Sequence, residues 1–97
     1  MMRFFPFLIF KIKGESMLPT LKEGDYVLIL KTSKIKQNDV ILLRDPRNGD
    51  AVVKRVLSIK PREYFVIGDN PEQSTDSRHF GWVGKNLVVG RVVKRIA

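Results

Sequence analysis

The feature that most constrains the fold is a series of short apolar segments with turn signals about every ten residues. The longest segment alternates in the manner of a β-strand and places Lys54 on one face with Val52 and Val56. No segment has the 3.6-residue periodicity of an amphipathic helix. The sequence therefore predicts an all-β domain, a small barrel or sandwich, with strands at residues 9–13, 26–30, 40–43, 51–60, 64–67 and 87–96.

The length of 97 residues predicts a single domain over residues 1–97. The absence of cysteine excludes disulfides and a cysteine nucleophile. Lys and Arg number 18 against 10 acidic residues, and the net charge is +8. This charge suits an anionic partner, or it reflects solvated basic side chains that protect strand edges from pairing.

The apolar N-terminal segment, residues 1–10, is the only candidate for a targeting or membrane segment. A spanning helix needs roughly 20 apolar residues, and this run is about half that length and contains Pro6. We expect an extended segment that enters the fold and whose phenylalanines could contact a bilayer interface. The expected location is cytoplasmic or peripheral to the membrane, with no spanning helix in this chain.

Ser16 lies in a bend between a glycine and a proline, where a hydroxyl would be presented. Serine is a weak nucleophile until a base takes its proton. The single histidine, His79, could serve with Asp76 in a triad, but Arg78 would compete for that carboxylate. His79 is therefore better explained as an exposed loop residue.

Lysine is the other candidate base, because burial in apolar surroundings lowers its pKa and removes its charge. Lys54 is the best-placed lysine, since valines flank it in the longest strand. A lysine that extends from a barrel strand into solvent would give the same pattern. The residue pattern alone leaves both interpretations open.

Several ordered segments resemble the sequence boxes of the signal peptidase I family, serine proteases with a Ser/Lys dyad. They run from about residue 11 to 91 and comprise Gly14-Glu15-Ser16-Met17-x-Pro19-Thr20, Gly24-Asp25, Asn38 to Arg44, Val53-Lys54-Arg55-Val56 and Gly68-Asp69-Asn70 followed by Ser74-x-Asp76-Ser77-Arg78. The resemblance implies the family's all-β fold, with Ser16 as the nucleophile and Lys54 as the general base.

The resemblance also implies residues that support this dyad. They are Ser74, which would orient the lysine amine, the ion pair of Asp76 and Arg78, and the loop-shaping Asp69 and Asn70. The Ser16 backbone N–H would be one oxyanion donor. Some members of the family place a second donor, a serine hydroxyl, where this chain has Gly14.

By the same resemblance, residues 10–13 and 51–53 would clamp the substrate as an extended peptide. The family favours small residues at the first and third positions before the cut. The implied substrate-binding residues are Phe10, Ile12, Lys13, Met17, Ala51 and Val53, although Ile12, Met17 and Val53 also fit a core. No metal or cofactor is implied.

Two differences from typical members indicate which branch of the family this chain resembles most. It lacks the N-terminal spanning helices of typical members, and only residues 60–63 stand where many carry a large inserted subdomain. This minimal catalytic core is most similar to small anchor-less members such as the nickel-type superoxide dismutase maturation proteases. The resemblance therefore implies removal of a short N-terminal leader or propeptide from a precursor protein.

Two alternatives stay open. One is a membrane-surface leader peptidase that acts on exported preproteins and docks through residues 1–10. The other is a non-enzymatic basic β-barrel that binds nucleic acid, which the net charge would suit. The chain offers few aromatic residues as stacking platforms for bases, so no nucleic acid is expected as a partner.

Overall fold

Seven strands form one curled antiparallel sheet in the computed structural model, which describes residues 5–97. The strands are β1 (Phe7–Lys11), β2 (Tyr26–Leu30), β3 (Val40–Arg44), β4 (Ala51–Ile59), β5 (Glu63–Ile67), β6 (Val83–Gly84) and β7 (Val88–Arg95). One short helix, α1 (Ser77–Phe80), and two 3-10 turns, Pro71–Gln73 and Lys85–Leu87, complete the described elements. The all-β prediction is confirmed, and the predicted bilayer contact of residues 1–4 lies outside the described residues.

The strand order across the sheet is β1-β2-β7-β3-β4-β5-β6. The last strand therefore lies between β2 and β3 and joins two groups of neighbours. β1 and β2 flank the segment that carries Ser16, and β4 carries Lys54. The pairing of β7 with both β2 and β3 places these two groups in one sheet.

The first strand differs from its prediction, since it covers Phe7–Lys11 instead of residues 9–13. Its register explains the shift: Lys11 pairs with Tyr26, the first residue of β2, and Phe7 pairs with Leu30, the last. Beyond Lys11, the Ile12 N–H still donates to the Asp25 carbonyl at 2.8 Å. Pairing thus continues past the strand, but without a regular ladder.

Three irregularities in the pairing bend the sheet, at Leu28/Ile29, Leu42/Leu43 and Val56/Ser58. Such bulges increase the local twist of a strand. Gly90 lies beside the second of them, since it pairs with Leu42. A Cβ on Gly90 would overlap the Leu30 carbonyl, so glycine lets β7 approach β2 closely.

Apolar side chains form two buried clusters. One cluster contains Ile12, Met17, Leu21, Val27, Ile29, Leu42 and Val53. The other contains Ile41, Leu43, Val56, Tyr64, Val66 and Val83. Because β3 and β4 contribute alternate residues to both clusters, this part of the sheet is buried on both faces. Within residues 5–97, no helix has the length and apolar content needed to cross a membrane.

Candidate active site

Lys54 lies in the middle of β4, opposite Ile41, with only 5% of its surface exposed. Its neighbours on the same face, Val52 and Val56, belong to the second apolar cluster. Burial lowers the pKa of the Lys54 amine below its ordinary value of 10.5, and the Asp76 carboxylate only partly opposes this effect. The fold therefore favours the neutral amine, which is the form that can accept a proton.

Ser74 links the lysine to a buried carboxylate. Lys54 Nζ donates to Ser74 Oγ at 2.9 Å, and Ser74 Oγ donates to Asp76 Oδ2 at 2.7 Å. Since the Ser74 proton points to the carboxylate, its oxygen is left to accept from the amine. A neutral amine that donates one N–H in this direction keeps its lone pair for another partner.

Asp76 is fully buried and is held by charged and neutral donors. Arg78 Nε donates to Oδ1 at 2.9 Å, and its Nη2 donates to Oδ2 at 3.0 Å. The Gly68 N–H donates to Oδ2 at 2.9 Å. Burial alone would raise the pKa of this carboxyl, but the hydrogen bonds from Arg78, Gly68 and Ser74 outweigh it and hold the pKa well below 3.8.

His79 contacts Asp76 as part of a helix cap. Asp76 is the N-cap of α1, and its backbone N–H donates to His79 Nδ1 at 3.2 Å. The imidazole is 53% exposed, and the Asp76 carboxylate is already bound by Arg78. In the described part of the chain, no hydrogen bond joins His79 to Ser16.

The turn that carries Ser16 is fixed from two sides. Met17, which is 1% exposed, anchors the turn in the first apolar cluster. Asn70 holds the other side, where its backbone N–H donates to the Ser16 carbonyl at 2.9 Å and its Nδ2 donates to the Glu15 carbonyl at 3.1 Å. Gly14 opens the turn at a φ of 73°, which favours glycine.

At Gly68, the turn that carries Ser16 lies close to Ser74, the residue that binds the Lys54 amine. A Cβ built on Gly68 would lie 2.6 Å from the Ser16 carbonyl oxygen and would also overlap the Ser74 side chain. Only a glycine lets both residues pack against this backbone position. Ser16, which is half-buried, and the Lys54–Ser74 pair therefore line one small region.

In the described structure, no direct hydrogen bond joins the Ser16 hydroxyl to the Lys54 amine. The amine instead donates to Ser74. Hydrogen bonds between a nucleophile and its base are often long in unliganded sites and tighten when substrate binds. The lack of this hydrogen bond in the free protein is therefore compatible with proton transfer in a complex.

A second carboxylate, Asp69, joins the serine turn to the strand that carries Lys54, through partners to which the sequence pattern assigned no role. Asp69 accepts from Arg55, the residue after Lys54, and from Thr20 in the serine turn. Another ion pair, between Arg47 and the buried Asp45, was also missed. In the sequence, the feature that could have pointed to Arg55 is its position directly after the candidate base, Lys54.

The predicted substrate-binding residues divide by burial. Ile12, Met17 and Val53 lie together in the first apolar cluster, while Phe10 and Ala51 pack against it and Lys13 is exposed. The three buried side chains offer only a small exposed edge to a ligand. Within residues 5–97, no group of three or more histidine or acidic side chains is arranged to hold a metal ion.

Comparison with known proteins gives consistent matches. Residues 6–93 match the family described as Peptidase S24-like. The chain is similar to the mitochondrial ATP-independent inner membrane protease subunit 1a of Arabidopsis thaliana, at 34% identity over 88% of this chain and 67% of the relative. It is also similar to signal peptidase I of Bacillus caldolyticus, at 26% identity over 94% of this chain and 80% of the relative. Signal peptidase IB of Staphylococcus aureus matches at 26% identity over 86% of this chain and 74% of the relative.

Proposed function

The chain belongs to the peptidase S24-like family, which confirms its resemblance to the signal peptidase I family, and on this basis we propose that it is a serine endopeptidase with Ser16 as nucleophile and Lys54 as general base. The observation that carries the proposal is the meeting point at Gly68. There the serine turn and Ser74, which binds the buried Lys54 amine, pack against one backbone position.

The charges around Lys54 support its role as a base. A lysine can accept the serine proton only when its amine is neutral, and burial favours that form. The nearby Asp76 would favour the charged form, but Arg78 neutralises its carboxylate. Ser74 then orients the amine through a hydrogen bond that needs no positive charge.

The proposed reaction has two steps. Ser16 Oγ attacks the scissile carbonyl while Lys54 Nζ takes the hydroxyl proton, and the protonated amine gives that proton to the leaving nitrogen as the C–N bond breaks. Water then attacks the acyl-enzyme while the same amine takes its proton, and the amine returns that proton to Ser16 Oγ as the ester bond breaks and the product acid leaves. The Ser16 N–H stabilises the oxyanion in both steps, and a backbone group or water supplies the second donor where Gly14 lacks a hydroxyl.

We further propose that the substrate is a precursor protein bound as an extended peptide along residues 10–13 and 51–53. The shallow exposed edges of Ile12, Met17 and Val53 suit small substrate side chains next to the cut. The three relatives are named as proteases or signal peptidases, which supports the removal of a leader. The finer proposal, a nickel-type superoxide dismutase precursor, rests on the sequence resemblance.

The dyad is tested with Ser16→Ala and Lys54→Met on such a precursor. Each change should lower kcat/KM by at least about 10³-fold, because a nucleophile and its base act as one unit. Thr75→Ala, an exposed hydroxyl near Ser74, is the matched control and should stay within about twofold of the wild type. Cleavage retained by either dyad variant, with the fold intact, would reject the mechanism.

A second candidate function is a leader peptidase at the membrane surface. One face of β1 and β2 exposes Ile9 (60%) and Tyr26 (40%), and Phe5 (73%) precedes it. Lys11 pairs with Tyr26 on this face, so apolar and basic side chains lie together. This combination suits a bilayer with anionic lipids, to which apolar area and positive charge both contribute binding.

Co-sedimentation with vesicles that contain an anionic lipid tests this function. Ile9→Ser should reduce the bound fraction, because it removes an apolar side chain from the exposed face. Leu57→Ser, at a side chain that is 42% exposed on β4, is the control and should leave binding unchanged. Equal effects of the two changes, or no binding by the wild type, would reject a role for this face.

A further inference from the structure

A cavity of about 310 Å³ lies between the β2–β3 connection and the start of β7. Its volume is near the lower end of the range for small-molecule sites. Apolar side chains form part of its lining, and hydroxyl groups and one ammonium form the rest. The lining residues are Ile35, Val88 and Val89, together with Thr32, Ser33, Tyr64 and Lys85.

Tyr64 is a mostly buried residue in the lining of this cavity. Its side chain belongs to the second apolar cluster, and the residue is only 3% exposed. Within residues 5–97, no protein group forms a hydrogen bond with its hydroxyl, and no buried side-chain atom is left unpaired. Its hydroxyl is therefore accessible, and a ligand in the cavity would give it a partner.

Lys85 supplies the positive charge. Its Nζ lies 4.8 Å from the centroid of the Tyr64 ring. In the described chain, no carboxylate comes within 4.0 Å of this ammonium. A cation that rests on an aromatic ring and has no acidic partner is available to an anionic ligand.

The surroundings add to this positive charge. Alternate residues of the same connection, Lys34 and Lys36, line a second cavity of about 340 Å³ with Arg91 and Asp39. Asp39 is the only carboxylate in the two linings, against four cations. The field around both cavities therefore attracts anions.

We propose that the first cavity binds a small ligand that consists of a carboxylate on a short, branched apolar body. Lys85 pairs with the carboxylate, Tyr64 donates a hydrogen bond to it, and the apolar body packs against Ile35 and Val88. The chemistry fits a free carboxylic acid or the C-terminal residue of a peptide. The site uses neither Ser16 nor Lys54, so it stands apart from the proposed dyad.

Titration of the ¹⁵N-labelled protein with isovalerate, followed by NMR, tests the site. We expect saturable shifts at the backbone amides of Ser33, Lys85 and Val88. Isovaleramide, which has the same shape without the charge, should bind at least about tenfold more weakly, since a hydrogen bond to a charged group is lost. Equal binding of acid and amide, or shifts that do not saturate, would overturn the proposal.

Amino-acid substitutions test which side chains bind the carboxylate of isovalerate. Lys85→Gln should weaken isovalerate binding about tenfold, and Tyr64→Phe, which keeps the buried ring, should weaken it severalfold. Lys60→Gln is the matched control, because Lys60 Nζ also lies over an aromatic ring, 4.1 Å from the Trp82 centroid. If Lys60→Gln weakens binding as much as Lys85→Gln, general charge attraction explains the shifts and the site is rejected.

A second probe, N-acetyl-Ala-Val with a free C-terminus, distinguishes the two possible sources of the carboxylate, a free acid and a peptide C-terminus. Tighter binding of this dipeptide than of isovalerate assigns the site to a peptide C-terminus, and tighter binding of isovalerate assigns it to a free acid. Both results require that the C-terminal amide of the dipeptide fails to bind. Binding of that amide with undiminished affinity would overturn recognition of a carboxylate.

Discussion

Arg55 and Asp69 form a two-point ion pair, with Nε to Oδ1 at 2.8 Å and Nη2 to Oδ2 at 2.7 Å. The same carboxylate accepts the Thr20 hydroxyl at 2.5 Å. Arg55 follows Lys54 on β4, and Thr20 belongs to the turn that carries Ser16. One carboxylate thus ties the strand of the proposed base to the segment of the proposed nucleophile.

Replacing Asp69 with asparagine should loosen this connection. The change leaves Arg55 without a charged partner, and we expect the free energy of unfolding to fall by about 1–3 kcal/mol. Peptidase activity should fall about tenfold or more, because small displacements between reacting groups are costly. Urea unfolding and kcat/KM measure the two effects. Glu72→Gln, at an exposed acidic residue, should change neither, and an equal loss there would contradict the assignment.

Gly68→Ala tests the meeting point of the two segments. The new methyl group would overlap the Ser16 carbonyl and the Ser74 hydroxyl, and overpacking of this kind costs about 1–3 kcal/mol. Activity should fall more than stability predicts, because the displaced atoms border the dyad. Gly84→Ala is the control, since its nearest neighbour is the Asn86 side chain, which can move away. Similar activity in both variants would contradict this role of Gly68.

The buried Lys54 amine should make stability depend on pH. Its pKa is lowered in the folded protein, so the unfolded chain binds more protons between that lowered pKa and 10.5. Stability contributed by this residue therefore rises with pH across that window and is constant below it. Lys54→Met should remove the rise in the free energy of unfolding, as measured by urea titration at several pH values. The exposed Lys22→Met should keep the wild-type dependence.

The Asp76 carboxylate should give a dependence of the same sign in a separate window at acid pH. Its pKa is lowered in the folded state, so its contribution is complete above 3.8 and is lost as the pH falls towards the lowered value. Asp76→Asn removes the charged acceptor of Arg78, Gly68 and Ser74 and should cost about 1–3 kcal/mol at pH 7. The difference from the wild type should shrink below pH 3.8. A constant difference across this range would contradict an ionised Asp76.

The sequence pattern predicted most strands because their apolar runs are bounded by clear turn signals. It misplaced β1, whose limits depend on pairing with Tyr26 and Leu30 rather than on its own composition. It also missed α1, because a four-residue helix has too few turns to show a periodicity. The visible signal was Asp76 before Arg78 and His79, a helix cap completed by a histidine in place of glutamate.

For the candidate site, the sequence named the residues but not the contacts between them. The valines that flank Lys54 left open whether its amine is buried or extends into solvent, and the structure shows that it is buried. The close approach at Gly68 and the partners of Asp69 depend on segments about 50 residues apart, which no local pattern encodes. Those contacts follow only from the fold.

The position of β7 between β2 and β3 has a consequence for the synthesis of the protein. During synthesis, the segments with Ser16 and Lys54 both leave the ribosome before residues 88–95, the piece that sits between them in the finished sheet. A nascent chain therefore contains Ser16 and Lys54 before it contains β7, the strand that joins their two parts of the sheet. Such an order would keep the proposed site unassembled until residues 88–95 have been synthesised.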